Sequence, residues 1–457
     1  MTVSMGSRPQ LHLNLNFLNA GTFASAWRWP ASRPHDFADV GFYVRIAQIA
    51  ERATFDAVFL ADVPALSDRP EFRPFNALEP TIVLASIAAA TSRIGLIATA
   101  SSSFNEPYNV ARRFASLDHV SHGRAGLNVV TTADPAVAGN FGAQVRADHA
   151  ARYRRGAEFT SLVKALWDSW DDDALVGDRD GARFLDPSRL HPPDWRGEHF
   201  TVLGALNVPR PPQGQPVLVQ AGGSDDGKAL AAAHADAVFS VAHTLEDAVA
   251  YARDLRARAA AHGRDPDGIL IFPGLVTVIG STEEEARRRE EALWDLVPLE
   301  YGLRRLAGIL GVDPARLRLD APLPADLALP RDGMQTFFKG AVSLAARGGL
   351  TVRELIRAQG GGTGHRIIVG TPETVADDIA RWFRSGAVAG FNIMPDVIAD
   401  GFPAFADAVV PLLRRKGLFR HAYEGATLRD HLGLPRPARR PHAAPLRPEP
   451  LLEDIQP

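Results

Sequence analysis

Hydrophobic and polar positions fall into a repeating order along this chain. Short apolar runs occur at residues 11–15, 57–61, 94–98, 125–130, 217–220, 237–241, 269–278 and 390–394. Runs of this length bounded by turn residues read as strands, and mostly apolar ones as strands buried on both faces. The first run alternates instead. Leu11, Leu13 and Leu15 share one face, while His12, Asn14 and Asn16 share the other and can line a pocket. Segments of helical period lie between the strands, at 40–53, 81–90, 108–121, 149–170, 228–235, 244–262, 282–299, 371–385 and 402–415. The helix at 371–385 has a clear start: Thr371 can cap it, Pro372 suits the first turn and Glu373 follows. Strand–helix alternation without an internal repeat predicts an α/β fold, a (β/α)8 TIM barrel rather than a doubly wound sheet.

Two stretches break the rhythm, 171–212 and 302–364. The first holds three consecutive Asp residues and many Pro and Gly; the second carries GGGTG at 360–364. Both are read as insertions placed after strands, thickening the mouth of the barrel as a lid and a selectivity wall. Residues 1–440 then form a single barrel domain. Residues 441–457, rich in Pro and without period, form a wrapping or poorly ordered tail.

Composition narrows the function classes. The 457 residues carry Lys+Arg 50 against Asp+Glu 53, a net charge of -3, which argues against nucleic acid or an anionic membrane as partner. There is no cysteine, so disulfides, thiolate nucleophiles and cysteine-ligated metals are excluded. The polar start MTVSMGSRPQ has no apolar signal core, and no run reaches the ~18 apolar residues of a membrane span. A cytoplasmic enzyme is the expectation.

The candidate chemistry gathers at strand exits, where barrels build their sites. The run at 125–130 empties into Thr131, Thr132, Ala133, Asp134 and Pro135; His149 and Tyr153 then share one helix face at i,i+4. Asp62 ends the second strand, and Thr99 and Ser101 end the third. GGSDDGK at 222–228 matches the phosphate-loop spacing, but Ala229 stands where a triphosphatase needs Ser or Thr for magnesium. Its backbone N–H groups at a helix start still suit an anion, and Ser224 adds a hydroxyl; equally, Ser224 can be a plain helix cap. His119 and His122 lack the acid cluster of a metal site, so no metal is expected.

Longer segments carry more weight: EPYNVARRFASLDHVSHGRAGLNVVTT, NFG with His149 and Tyr153, RGEHFTVLGALNVPRPPQGQPVLVQAGGS, GTPETVADDIARWF, GFNIMP and YEGATLRDHLGL. From Leu11 to about Leu434 the chain resembles the nitrilotriacetate/EDTA monooxygenase, dibenzothiophene-sulfone monooxygenase and pristinamycin IIA synthase group of the bacterial-luciferase-like flavin monooxygenases. The resemblance implies a TIM barrel that uses reduced FMN, delivered by a separate NAD(P)H:flavin reductase, and dioxygen to oxygenate a small sulfur- or nitrogen-containing substrate. It implies FMN contacts at Asp62, Thr99, His149, Tyr153, Gly222, Gly223 and Ser224, the last three at the phosphate. It implies catalytic roles for His149 and Tyr153, and pairing of subunits as a homodimer or tetramer. Two positions depart from the pattern: Leu127 stands where Trp is frequent and Ala205 where Pro is usual. A deazaflavin-dependent oxidoreductase and a non-catalytic flavin-binding barrel are the rival readings.

Overall fold

The computed structural model describes residues 10–66, 70–75, 78–142, 148–329, 335–358 and 364–439. Nine parallel strands form its principal sheet: β1 (His12–Phe17), β2 (Ala57–Leu60), β3 (Gly95–Ser101), β4 (Ala125–Val130), β5 (Val217–Gln220), β6 (Ala237–Ser240), β7 (Leu270–Ile279), β8 (Arg366–Gly370) and β9 (Gly390–Pro395). Eight of them close into a barrel in the order β1-β2-β3-β4-β5-β6-β7-β9, with β9 returning to β1. These are the eight runs read as strands in the sequence.

Helices wrap the outside: α1 (Val40–Arg52), α2 (Pro80–Ala90), α3 (Pro107–Val120), α4 (His149–Trp167), α5 (Asp225–His234), α6 (Leu245–Ala261), α7 (Glu283–Asp295) and α8 (Pro372–Arg384). Their starts follow local chemistry. Asp39, Glu79, Asp148, Ser224, Thr244, Thr282 and Thr371 each accept a backbone N–H in the first turn, contributing about 1 kcal/mol apiece. The main core lies between sheet and helices, with Leu13, Leu15, Val58, Leu96, Leu127 and Leu218 pointing outward into it. The alternate residues face the lumen. Ala57, Phe59, Ile97, Val217, Val219, Ala237 and Phe272 form one inner cluster there with Leu428, Leu432 and Leu434, so the C-terminal segment plugs the foot of the barrel.

Strand β8 has no counterpart in the sequence reading. β7 is long enough for two partners on one side: its first half pairs with β6 and its second half, Leu275–Ile279, with β8. Most of the GGGTG run lies outside the described residues, and the described residues of 302–364 include the helices Leu299–Leu310, Gln335–Gly348 and Val352–Ala358. These build a second core against Val276, Val278, Met394 and Val397, at the C-terminal ends of β7 and β9.

The first excursion is placed differently from the expectation of a cover over the mouth. It follows α4 and leads into β5, so it begins and ends at the N-terminal face of the barrel. There Gln213 Nε2 donates to Asp118 (2.6 Å) and to the carbonyl of Ala125 at the foot of β4 (2.9 Å). Its middle packs on the outer flank of α4, where Glu158 accepts from Trp195, His199 and Phe200. The polar loop backbone finds its partners in these places, the N–H of Gln213 in Asp118 and those of His199 and Phe200 in Glu158. The Pro-rich tail expected at 441–457 lies outside the described residues. Among the described residues no helix is long and apolar enough to cross a membrane.

Candidate active site

β5 ends at Gln220 and the chain turns through Gly222, Gly223 and Ser224 into α5. Ser224 Oγ accepts from the N–H of Gly227 at 3.1 Å, so the hydroxyl is a helix cap in this structure. The turn closes tightly: a Cβ added at Gly222 would stand 2.9 Å from Gly227 Cα, a distance no other residue tolerates. Tyr251 OH pins the turn by donating to the carbonyl of Gly222 at 2.7 Å.

α4 delivers two rings to this turn. Ser224 Oγ lies 3.4 Å from the Tyr153 hydroxyl, toward which it donates. Tyr153 and His149 lie with ring centres 4.8 Å apart. His149 Nδ1 is 2.8 Å from Asp226 Oδ2; facing a carboxylate, that nitrogen carries the hydrogen, which leaves Nε2 for a ligand. His149, Tyr153, Gly222, Gly223 and Ser224 therefore form one assembly, with Asp226 as a member that the sequence reading left out. Asp226 sits two residues into α5, where a carboxylate reads as ordinary helix-start chemistry.

The charges around the turn are balanced in pairs. Asp225 faces Arg258 at 2.9 Å and Asp226 faces His149. Lys228, which a phosphate loop would aim at its ligand, pairs with Asp254 at 2.6 Å. The Lys of the GGSDDGK stretch therefore turns away from the glycine turn, as expected for a chain that lacks the triphosphatase hydroxyl at 229.

Asp62 and Thr99 sit on the same end of the barrel but touch other partners. Thr99 Oγ1 accepts from Asn128 Nδ2 at 2.9 Å, bridging β3 and β4. One turn higher, Thr132 donates to Ser101 at 2.7 Å. Gly156 of α4 ties these exits to the glycine turn, since a Cβ there would be 3.0 Å from Thr131 Cγ2 and 3.3 Å from Ser102 Oγ. Asp62, half-buried just past β2, has its carboxyl pushed up to about 6 by burial and by Glu79, against the pull of Arg113.

The lumen beneath is lined by polar side chains of the strands, and at its foot His12 meets the buried Asp56–Arg420 pair. None of the eight barrel strands contains Asp, Glu, Lys or Arg. Asn14, Asn16, Asn128 and Asn392 are buried, and the Oδ1 atom of each has no hydrogen-bond partner. Such groups are costly unless something supplies the missing partner. A heteroaromatic ring with N–H and C=O groups along its edges fits that demand, and a phosphate fits the turn at Ser224, so these residues suit FMN. His119, by contrast, bonds the carbonyl of Pro209 at 3.1 Å, and among the described residues no group of three metal-binding side chains occurs.

The family model for luciferase-like monooxygenases matches residues 19–389. The chain is 43% identical over 446 residues to nitrilotriacetate monooxygenase component A of Aminobacter aminovorans, covering 95% of this chain and 98% of that one. It is 41% identical over 434 residues to N-acetyl-S-(2-succino)cysteine monooxygenase of Bacillus subtilis, again covering 95% and 98%. A solved riboflavin lyase, described with modified FMN and riboflavin, superposes with a TM-score of 0.81 at 32% identity, over 93% of this chain and 96% of that one.

Proposed function

The chain belongs to the luciferase-like monooxygenase family and is a flavin-dependent monooxygenase; on that premise we propose that it is the oxygenase component of a two-component system. A separate NAD(P)H:flavin reductase supplies reduced FMN. A small organic compound with an oxidisable sulfur or nitrogen centre is the substrate. Reduced FMN, dioxygen and substrate become FMN, water and substrate bearing one more oxygen atom, and the flavin supplies the electrons. The two bacterial relatives support the substrate class, since their names specify a tertiary amine and a thioether.

The observation that carries this reading is the chain of contacts Ser224–Tyr153–His149–Asp226 at the mouth of a barrel whose strands carry no charged side chain. Ser224, with the N–H groups at the start of α5, holds the phosphate. Tyr153 and His149 flank it, and Asp226 fixes the imidazole so that Nε2 faces the ligand. Thr99 and Asp62 meet the edge of the ring system. His149 moves or holds a proton there, and Tyr153 orients it. The apolar strand walls keep bulk water from the reacting atoms.

Turnover with added reductase, NADH, FMN and dioxygen tests the proposal on a panel of thioethers, sulfones and tertiary amines, scoring oxygenated product against released peroxide. Oxygenated product from at least one class is expected. His149→Ala should lower coupled product by about tenfold or more while the melting temperature stays close to wild type. Peroxide alone, from every class, would contradict the reading.

A further inference from the structure

His365 stands outside every role assigned so far. It immediately precedes β8, at the point where β8 takes over from β6 along the edge of β7. Its ring stacks on Phe239 of β6, with centres 5.1 Å apart and planes 18° from parallel. Phe239 in turn meets Phe59 edge-on at 5.4 Å, and Phe337 of the inserted helix Gln335–Gly348 approaches the other edge of His365 at 6.1 Å. The imidazole occupies the space a side chain at Gly274 would need, since a Cβ there would fall 2.4 Å from His365 Nδ1. In register, Gly274 pairs with Asn392 and Asn392 with Asn14. His365 therefore stands in the lumen beside two amide oxygens without a partner, Oδ1 of Asn14 and of Asn392, and its own Nδ1 also lacks one.

We propose that His365 is a substrate-binding residue: with Phe239 it forms the wall on which an uncharged aromatic group of the substrate stacks and to which that group hydrogen-bonds. This rests on the flavin reading above. The ring of eight strands puts β3, which carries Thr99, opposite β7, which carries Gly274. A flavin held on the Thr99 side leaves the His365 side for the compound to be oxygenated. The strands themselves offer a substrate polar and apolar side chains but no counter-ion, so a carboxylate pressed against this wall would lose hydration without a charged partner from it. Because His365 and Phe239 already stack on each other, an aromatic group of the substrate gains by offset stacking on the outward face of that pair. Burial also holds the imidazole of His365 down to about 3, with His243 nearby adding to the effect, so the ring is neutral and offers one donor and one acceptor.

The test is equilibrium binding to the FMN-loaded full chain. Dibenzothiophene sulfone is the flat, uncharged probe and nitrilotriacetate the charged one. Wild type should bind the sulfone in the micromolar range and nitrilotriacetate far more weakly. His365→Ala should weaken sulfone binding about tenfold or more, and His365→Phe, which keeps the stack but loses the nitrogens, should fall between the two. FMN affinity should be the same in all three chains, and this also reports that the variants are folded. Sulfone binding unchanged in His365→Ala, or a wild type that takes nitrilotriacetate in preference to the sulfone, overturns the proposal. Failure of FMN to bind wild type would remove the flavin reading and the proposal with it.

Discussion

Asp62 shows how position sets the chemistry of a single side chain. Two causes act in one direction: burial withholds water from the carboxylate, and Glu79 repels it; Arg113 offsets only part. The folded state therefore binds the proton more tightly than the unfolded chain does, up to about 6 against the ordinary 3.8. Stability from this group is full below the unfolded value and is lost as pH rises through about 6. Asp62→Asn should match wild type in denaturant midpoint at about pH 4 and exceed it at about pH 8. Equal midpoints at both would mean that Asp62 is solvated. Ser224 and His149 are held by groups of helix α5: Ser224 by the Gly227 N–H and His149 by Asp226. A ligand arriving there meets groups already oriented.

At the scale of elements, the mouth depends on fixed relations between helices and strands. Arg124, at the foot of β4, is fully buried and fastens α2, α3 and β3 together. It donates to the carbonyls of Ser121, Ile94, Ala88 and Thr91 at 2.7, 2.8, 3.1 and 3.0 Å. Arg124→Met fits the space and leaves those four carbonyls without their donor. We expect a loss of about 3 kcal/mol or more in unfolding free energy, with FMN affinity unchanged where the variant remains folded. Chemical denaturation measures the first and titration the second; a loss under about 1 kcal/mol would show that water replaces the guanidinium. The barrel strands were legible in the sequence because a strand buried on both faces is an unbroken apolar run, as in Ala57–Leu60 and Ala237–Ser240. β8 was not, since RIIVG follows a glycine-rich stretch and is only partly buried. The path of 171–212 was hidden for another reason: its anchors, Asp118 with Gln213 and Glu158 with Trp195, are long-range pairs that no local pattern announces.

For the whole molecule, four histidines that burial holds below their ordinary value shape the response to acid, His234, His243, His365 and His431. Burial drives His234 and His365 down to about 3 and His431 to about 4, with neighbouring cations or imidazoles reinforcing each. The unfolded chain takes up these protons near 6.5, so stability is intact above that value and falls as pH drops toward 4. Each group steepens the fall by about 1.4 kcal/mol per pH unit. Melting temperature should decline sharply below about pH 6, and His234→Gln should flatten the decline; an unchanged slope would assign the acid response elsewhere. The same contrast between local and distant signals governs the site. Asn14 and Asn16 were readable as a polar strand face, and His149 with Tyr153 as a helix face. His365 has room in the lumen only because β7 carries a glycine across from it, and Asn128 meets its partner Thr99 on the neighbouring strand.

On the function proposed above, the mouth holds flavin by its phosphate at Ser224 and Tyr153. Anaerobic titration with reduced FMN and reduced riboflavin, on wild type and Ser224→Ala, measures that hold. Wild type should prefer FMN by about 100-fold or more, and Ser224→Ala should lose about tenfold for FMN and nothing for riboflavin. Equal affinity of wild type for the two flavins would mean that the phosphate is not held there.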